Sequence, residues 1–589
     1  MRHRVLAAIL VSLGISALAF AQATTNPAAP RPAAATAVSK GQGSAPAPAS
    51  DWWNSAVFYE VFVRSFKDSS TGPLANDGVG DIRGIIEKLD YLNDARPAQG
   101  KPTSPNSLGV TGIWLMPIHP SPGYHGYEVD DYYGVNPQYG TLQDFKELVA
   151  ACHDRGIRVI LDLVINHVSY HHPWFVEASA NPQSPKRDWF IWKDTVPDWK
   201  GPWNENVWWR VGEKRHGEAA PKAGETAGGP FYYGIFSPTM PDINYRNEQA
   251  SDAVLDAVRY WITKEDVDGY RLDAIRHLVE DGPIQENTPE THAWLKKFRA
   301  AYKKARPDAF TIGEVWGPSE QIVPYVGDEL DTCFEFNLSD AIVKAARTGD
   351  ARDAMKAQKH VLDAYPSGQY GRFLSNHDQT RVMTQLKGDA GAMRAAAAML
   401  LLGPGVPFLY YGEEIGMTGD KPDENLRTPM QWTAGQNAGF TNGNPWEPLG
   451  KARTSVEAQD REPDSLLNLY RRLIRAREAH PALSRGGTVM ADCSSPNVLA
   501  MLRHAPSATI NGKPAPDETA LVLVNVSDEP ASEVAISLPA GSVPGTASGT
   551  EVLAAASVQE LQPAHDGSVV NWKPIRQLAP RSAYVIIIR

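Results

Sequence analysis

From Asp51 to about Gly412 the chain alternates between two hydrophobic patterns. Short runs are apolar at consecutive positions, and between them lie longer stretches in which apolar residues return every three to four positions. The first pattern suits strands buried on both faces, the second helices with one buried face. Strands are predicted over 57–63, 112–116, 158–164, 269–272, 310–313, 332–336, 371–374 and 407–411, and helices over 82–93, 142–155, 248–264, 294–305 and 390–402. Eight strands separated by helices predict an α/β fold, a (β/α)8 TIM barrel, with function at the C-terminal ends of its strands.

Two regions break the alternation. Residues 167–246, after the third strand, are rich in Trp, Pro and Gly and lack helix periodicity. A connection this long is a functional loop or a small inserted domain. From 487 to 589, runs at 499–503, 519–526, 532–538 and 582–588 alternate with Gly, Pro and Asn turns, which predicts a separate C-terminal all-β sandwich. The barrel is thus expected over 51–166 and 247–486, interrupted by an inserted domain over 167–246 and followed by the sandwich over 487–589. No internal repeat is evident.

The amino end adds an address. Arg2 and Arg4 precede an apolar stretch from Val5 to Phe20 and a small-residue cleavage site, Ala19-Phe20-Ala21. Residues 1–21 read as a secretory signal peptide, too short in its apolar run for a span. Residues 22–50, rich in Ala, Pro, Thr and Ser, read as a disordered linker. The expectation is an exported protein, periplasmic or secreted, free of the membrane once the signal is removed. The 589 residues call for more than one domain. A net charge of −11 leaves no basic footprint for nucleic acid. Three scattered cysteines, Cys152, Cys333 and Cys493, imply no disulfide framework. The 16 Trp and 21 Tyr leave room for sugar stacking beyond core packing.

The chemistry gathers at strand ends. Gly269-Tyr270-Arg271-Leu272-Asp273 places Arg271 and Asp273 on one face where the fourth strand runs out. A cation beside a carboxylate favours its ionised form, the state a retaining glycosidase needs in its nucleophile. Asp162 to His167 ends the third strand, Gly313-Glu314-Val315-Trp316 the fifth, and Ser375-Asn376-His377-Asp378 the seventh. Singly, each has a structural explanation. Together they would ring one barrel mouth, and so many ionisable groups in one place call for a ligand or a reaction.

The blocks DLVINH, GYRLDAIRH, GEVW and FLSNHD resemble, in order and spacing, the four signature blocks of the α-amylase family, glycoside hydrolase family 13. The resemblance covers nearly all the chain after the linker. It implies a barrel with a B domain after the third strand and a β-sandwich C domain. It implies Asp273 as nucleophile, Glu314 as general acid/base and Asp378 as transition-state stabiliser. Glu314 then needs a proton to give to the leaving oxygen, with neighbouring carboxylates and Trp316 expected to favour it. His167 and His377 resemble donors to the sugar at the cleavage point, and Arg271 the partner of the nucleophile, with Asp162 as its brace. Tyr127, in Gly126-Tyr127, resembles the ring under that sugar. Met240-Pro241-Asp242-Ile243-Asn244 resembles the block of intermediary members between oligo-1,6-glucosidases and neopullulanases, and Arg427-Thr428-Pro429-Met430-Gln431-Trp432 resembles oligo-1,6-glucosidases and their relatives. In exo-acting relatives an Asp and an Arg in such blocks grip the terminal glucose, a role that would fall to Asp131 and Arg427. Asp68, Asp77, Val79 and Asp81 resemble the family's calcium loop, implying a bound Ca²⁺ held by carboxylates and a backbone carbonyl. A Ser-Ser-Thr-Gly-Pro-Leu-Ala insertion separates Asp68 from the rest of that loop.

The resemblance implies a monomeric α-amylase that hydrolyses α-1,4 bonds of starch and maltooligosaccharides with retention. The alternatives are an exo-acting α-glucosidase or oligo-1,6-glucosidase, a transglycosylase of trehalose-synthase type, and an inactive glycan-binding relative. The last would be marked by loss of a catalytic carboxylate, and all three are present.

Overall fold

Phe58–Val61 (β1), Gly112–Leu115 (β2), Arg158–Leu163 (β3), Gly269–Leu272 (β4), Phe310–Gly313 (β5), Thr332–Phe334 (β6), Tyr370–Arg372 (β7) and Val406–Tyr410 (β8) are parallel strands. Each pairs with its neighbours in chain order, and β8 pairs back with β1. This closed barrel belongs to a computed structural model that describes residues 51–94, 104–212, 221–450, 454–510 and 513–589. The proposed signal peptide, 1–21, and linker, 22–50, lie outside the described residues.

The strands were legible because they are buried on both sides. One side packs against helices; the other fills the barrel with Phe58, Trp114, Ile160, Phe310, Phe334 and Phe408. Phe58 and Phe408 stack with centroids 4.7 Å apart, and Trp53 closes the floor on Phe310 at 5.3 Å. Around the barrel run Leu142–His153 (α1), Glu248–Lys264 (α2), Pro289–Ala305 (α3), Phe336–Thr348 (α4) and Ala390–Leu402 (α5). Their starts are capped by Thr141, Asn247, Thr288 and, for α5, Asp389, each accepting a backbone N–H of the first turn.

Three expectations shift. The helix predicted over 82–93 is two short ones, Ile82–Glu87 and Leu89–Leu92, parted at Lys88, whose φ −110° and ψ 5° are not helical. The strand predicted to 336 stops at Phe334, and Phe336 opens α4. α3 begins at Pro289 rather than 294, with proline in the first turn, where its missing N–H costs nothing.

Between β3 and β4 lie a helix, Pro173–Ala180, and an antiparallel three-stranded sheet ordered Trp192–Lys193, Phe231–Tyr233, Trp208–Arg210. The helix escaped a periodicity reading because it is only 8 residues long. The sheet has a small core of its own around Val207, Trp208, Phe231 and Tyr233. After the barrel, a five-stranded antiparallel sheet faces a three-stranded one across Val498, Leu502, Leu523, Ile536 and Trp572. No helix among the described residues is long and apolar enough to cross a membrane.

Candidate active site

Register brings the first pair together. In the β3–β4 ladder Asp162 lies directly beside Arg271, and both are about 1% exposed. Arg271 Nη1 donates to Asp162 Oδ1 at 2.8 Å and to Asp273 Oδ1 at 2.8 Å, and Nη2 donates to Glu314 Oε2. One guanidinium thus holds three carboxyl groups from three consecutive strands. Two backbone features make this possible. Ala274 has φ 47°, a left-handed conformation unusual for alanine, which turns the chain immediately after Asp273. Gly313 precedes Glu314, and a Cβ there would lie 2.5 Å from Leu330 Cδ1 and 2.7 Å from Ile275 Cδ1, so a larger residue would have to displace both side chains.

A second set is built on His377, which is fully buried. Its Nδ1 lies 2.5 Å from Glu60 Oε1, at the end of β1. Its Nε2 lies 2.6 Å from the Tyr127 hydroxyl and 3.1 Å from Asp378 Oδ2. The Tyr127 hydroxyl also donates to Asp162 Oδ2 at 3.0 Å, which joins the two sets. Trp114 donates its indole N–H to the same oxygen at 3.1 Å. Arg427 completes the wall: Nη2 donates to Asp378 Oδ1 at 2.8 Å and to Asp423 Oδ2 at 3.1 Å.

The electrostatics follow from burial and pairing. Burial, with Glu314 and Asp162 nearby, pushes the Asp273 carboxyl well up against the pull of Arg271. Burial raises Asp162 as well, against Arg271 and His377. Asp162 and Asp273 share the Arg271 guanidinium, so their titration belongs to the pair rather than to either residue. Burial alone would lower the His377 imidazole, but Asp378 and Glu60 push it up to about 10. Asp378, whose side chain stays 39% exposed, is held well below the usual carboxylate range by His377 and Arg427. The mouth thus contains a carboxylate–imidazolium pair, Asp378 and His377, beside three carboxyl groups held on one guanidinium.

Of the residues singled out from sequence, Asp273, Glu314, Asp378, Arg271, His377 and Tyr127 meet here. Four others sit differently. His167 turns Nε2 to the Tyr127 carbonyl at 2.9 Å, and burial lowers its imidazole to about 4. It anchors the tyrosine loop with the nitrogen expected to reach sugar. Asp131 is exposed, accepts the Tyr133 N–H at 2.8 Å, and has no contact with Arg427. Arg427 instead pairs with Asp378 and Asp423 and reaches the Tyr124 hydroxyl at 3.3 Å. Trp316 donates its N–H to Glu314 Oε1 at 2.7 Å instead of offering an apolar face. Sequence reasoning missed Glu60, Tyr124 and Asp423. Only Glu60 carried a signal, as a lone carboxylate inside the apolar run from Phe58 to Val63.

The loop expected to hold Ca²⁺ does not present the donor set for it. Asp68 is buried, and its oxygens accept the N–H groups of Asn76 and Gly78, each at 2.8 Å, and the Thr441 hydroxyl at 2.5 Å. Asp81 caps the following helix through Gly84 N and takes the Ser69 N–H and hydroxyl. Asp77 accepts the Val79 N–H. The Lys67 ammonium lies beside this loop, donating to the Phe440 carbonyl at 3.0 Å and to the Asp68 carbonyl. Among the described residues no three carboxyl, imidazole or thiol groups converge as a metal site.

Comparison with known proteins places this arrangement. The alpha-amylase catalytic-domain profile matches residues 60–486. Alpha-amylase 3 of Dictyoglomus thermophilum is 36% identical over 441 residues, 74% of this chain and 79% of that protein. The trehalose synthase/amylase TreS of Mycobacterium tuberculosis is 34% identical over 510 residues, 77% of this chain and 79% of that protein. The crystal structure of an alpha-amylase from H. orenii superposes with a TM-score of 0.73 at 36% identity, covering 91% of this chain and 99% of that one.

Proposed function

The chain belongs to the alpha-amylase family of glycoside hydrolases, and within it we propose retaining hydrolysis of α-1,4-glucosidic bonds in starch and maltooligosaccharides. The observation that carries this reading is Arg271, whose two terminal nitrogens hold Asp273 and Glu314. A retaining pair must stand about 5–5.5 Å apart, whereas an inverting pair leaves room for a water between. Two carboxyls on one guanidinium belong to the closer class.

In this mechanism Asp273 attacks the anomeric carbon while Glu314 gives its proton to the leaving oxygen. The glycosidic C–O bond breaks and a covalent glycosyl ester forms on Asp273. Glu314, now a carboxylate, takes a proton from water, whose oxygen displaces Asp273 and restores both groups. Asp378, held by His377 and Arg427, accepts hydrogen bonds from sugar hydroxyls and favours the flattened, positively charged ring. Tyr127, stacked 5.5 Å from the His377 ring, supplies the sugar's floor.

The exo-acting alternative relied on Asp131 and Arg427 meeting around a terminal glucose. Their separation supports an open glycone end and internal cleavage. Transfer to a sugar acceptor uses the same carboxylates and differs only in whether water reaches the ester. The pattern of residues 1–21 supports action outside the cytoplasm. The test is a time course on maltoheptaose and isomaltose. Mixed maltooligosaccharides should form early, isomaltose should stay intact, and Asp273→Asn should slow hydrolysis at least ~10³-fold. Glucose released one unit at a time overturns internal cleavage, and an Asp273→Asn protein with full activity overturns the mechanism.

A further inference from the structure

Trp203 is the most exposed tryptophan noted among the described residues, at 51%. It sits in the inserted domain, yet its ring contacts lead to the barrel mouth. Phe236 lies beneath it with centroids 5.9 Å apart and planes 32° from parallel, and His277 meets it at 5.6 Å. Phe236 in turn packs 5.6 Å from His167, at the end of β3. One face of the indole is thus backed by rings anchored in the site, and about half its surface is open.

The loop beneath is fixed. Asn204 adopts φ 68°, and the turn is closed by Asn204 N to Gly201 O at 2.9 Å and Gly201 N to Glu205 O at 3.0 Å. Gln285 clamps it to the barrel. Its amide donates to the Lys200 carbonyl at 2.6 Å, its side-chain oxygen accepts from Tyr233, and its own carbonyl lies 2.8 Å from His277 Nδ1. The inserted domain is therefore tied to the turn that follows Asp273 by three residues.

The side of the cleft can be assigned as well. The group that protonates the leaving oxygen stands on the leaving-group side. Glu314 accepts from Trp316, the Trp316 carbonyl accepts from Arg276, and Arg276 precedes His277, which faces Trp203. The opposite flank is Asp378, Arg427 and Tyr124. A flat indole, backed on one face and open on the other, fits the C–H face of a glucose ring.

We propose that Trp203, backed by Phe236, is the platform on which glucosyl units on the reducing side of the scissile bond stack. Through it the inserted domain reads chain length beyond that bond. The proposal rests on the glucan-hydrolase reading above and adds the residue that makes long chains better ligands than short ones.

The test measures binding without turnover. Calorimetric titration of the full chain carrying Glu314→Gln with maltotriose and maltoheptaose, with and without Trp203→Ala, compares the two lengths. Loss of one stacking face should raise the Kd for maltoheptaose about tenfold and that for maltotriose less than about twofold. Trp203→Phe, which keeps a flat ring and guards against a folding artefact, should stay within about threefold of the parent. An unchanged maltoheptaose affinity, an equal loss for both lengths, a Phe variant as weak as the Ala variant, or no maltoheptaose binding by the Glu314→Gln parent overturns the proposal. Failure of the hydrolase reading is read separately, as absence of sugar release by the unsubstituted chain.

Discussion

Glu60 places a carboxylate in a strand whose other residues are apolar and buried, and its partner His377 is 317 positions away in sequence. The distance explains why neither block announces the other. The pair has a pH signature. His377 is pushed up to about 10 by Asp378 and Glu60, against its burial, while an unfolded imidazole titrates near 6.5. Its contribution to stability is therefore complete below about 6.5 and lost as pH rises through 10. Activity should follow the same group, because a neutral imidazole ceases to hold the Asp378 carboxylate. Glu60→Gln removes one of the two anions, so the imidazolium deprotonates earlier. The alkaline limb of kcat/KM should move down by about one pH unit or more, with the acid limb in place. A pH–rate profile of the two proteins decides it, and coincident alkaline limbs would remove Glu60 from the charge network.

At the scale of elements, the barrel strands were legible because each is a short apolar run buried on both faces, α2 because a long periodic helix carries its pattern unaided, and α5 because its run of alanines, leucines and methionines is long and favours a helix. The start of α4 was hidden because Phe334, Glu335 and Phe336 alternate apolar and polar as a strand would, while Phe336 already opens the helix. The site was legible where a role depends on position along a strand end, as for Arg271, Asp273, Glu314 and Asp378. It was not where a role depends on side-chain direction. Asp131 and the loop from Asp68 to Asp81 match family positions, but their oxygens turn to local N–H groups. That loop makes a prediction. In its closure Asp68 accepts from Asn76 N, Gly78 N and the Thr441 hydroxyl. Chelation with EDTA should leave the thermal midpoint within about 2 °C, whereas Asp68→Ala, which strands the buried Gly78 N–H, the half-buried Asn76 N–H and the Thr441 hydroxyl, should cost about 2–3 kcal/mol. Thermal unfolding followed by circular dichroism, with and without chelator, measures both. A large fall in midpoint on chelation would restore the metal.

At the scale of the molecule, the barrel and the C-terminal sheets share one charged seam. Arg372, Arg477 and Arg503 are each at most 2% exposed, and burial lowers all three guanidinium groups. Their hydrogen-bond partners are mainly carbonyls clustered where α5 ends. Arg372 donates to Met399 O at 2.6 Å and Pro404 O at 2.8 Å. Arg477 donates to Gly403 O at 2.9 Å and Gly405 O at 2.6 Å. Arg503, from the strand Val498–Ala505 of the C-terminal sheet, donates to Leu402 O at 3.1 Å and Gly486 O at 3.1 Å. A helix C-terminus leaves carbonyls unpaired and carries partial negative charge, so buried cations there are answered without a carboxylate. A second seam joins Ala351 N to Pro496 O at 2.7 Å and Asn497 Nδ2 to Gly349 O at 2.5 Å, just beyond α4. Two domains joined by buried bonds of this kind unfold together, since parting them would expose the carbonyls and the guanidinium groups at once. Arg503→Met keeps much of the volume and removes only the donors, and should lower stability by about 2–4 kcal/mol. The unfolding should remain a single transition for barrel and sheets alike, with the site intact at low temperature. Calorimetry that resolved two transitions in the unsubstituted chain would mean that the sheets are only appended. Coincident loss of activity and of sheet signal places the C-terminal domain within the structure that keeps the barrel mouth in order.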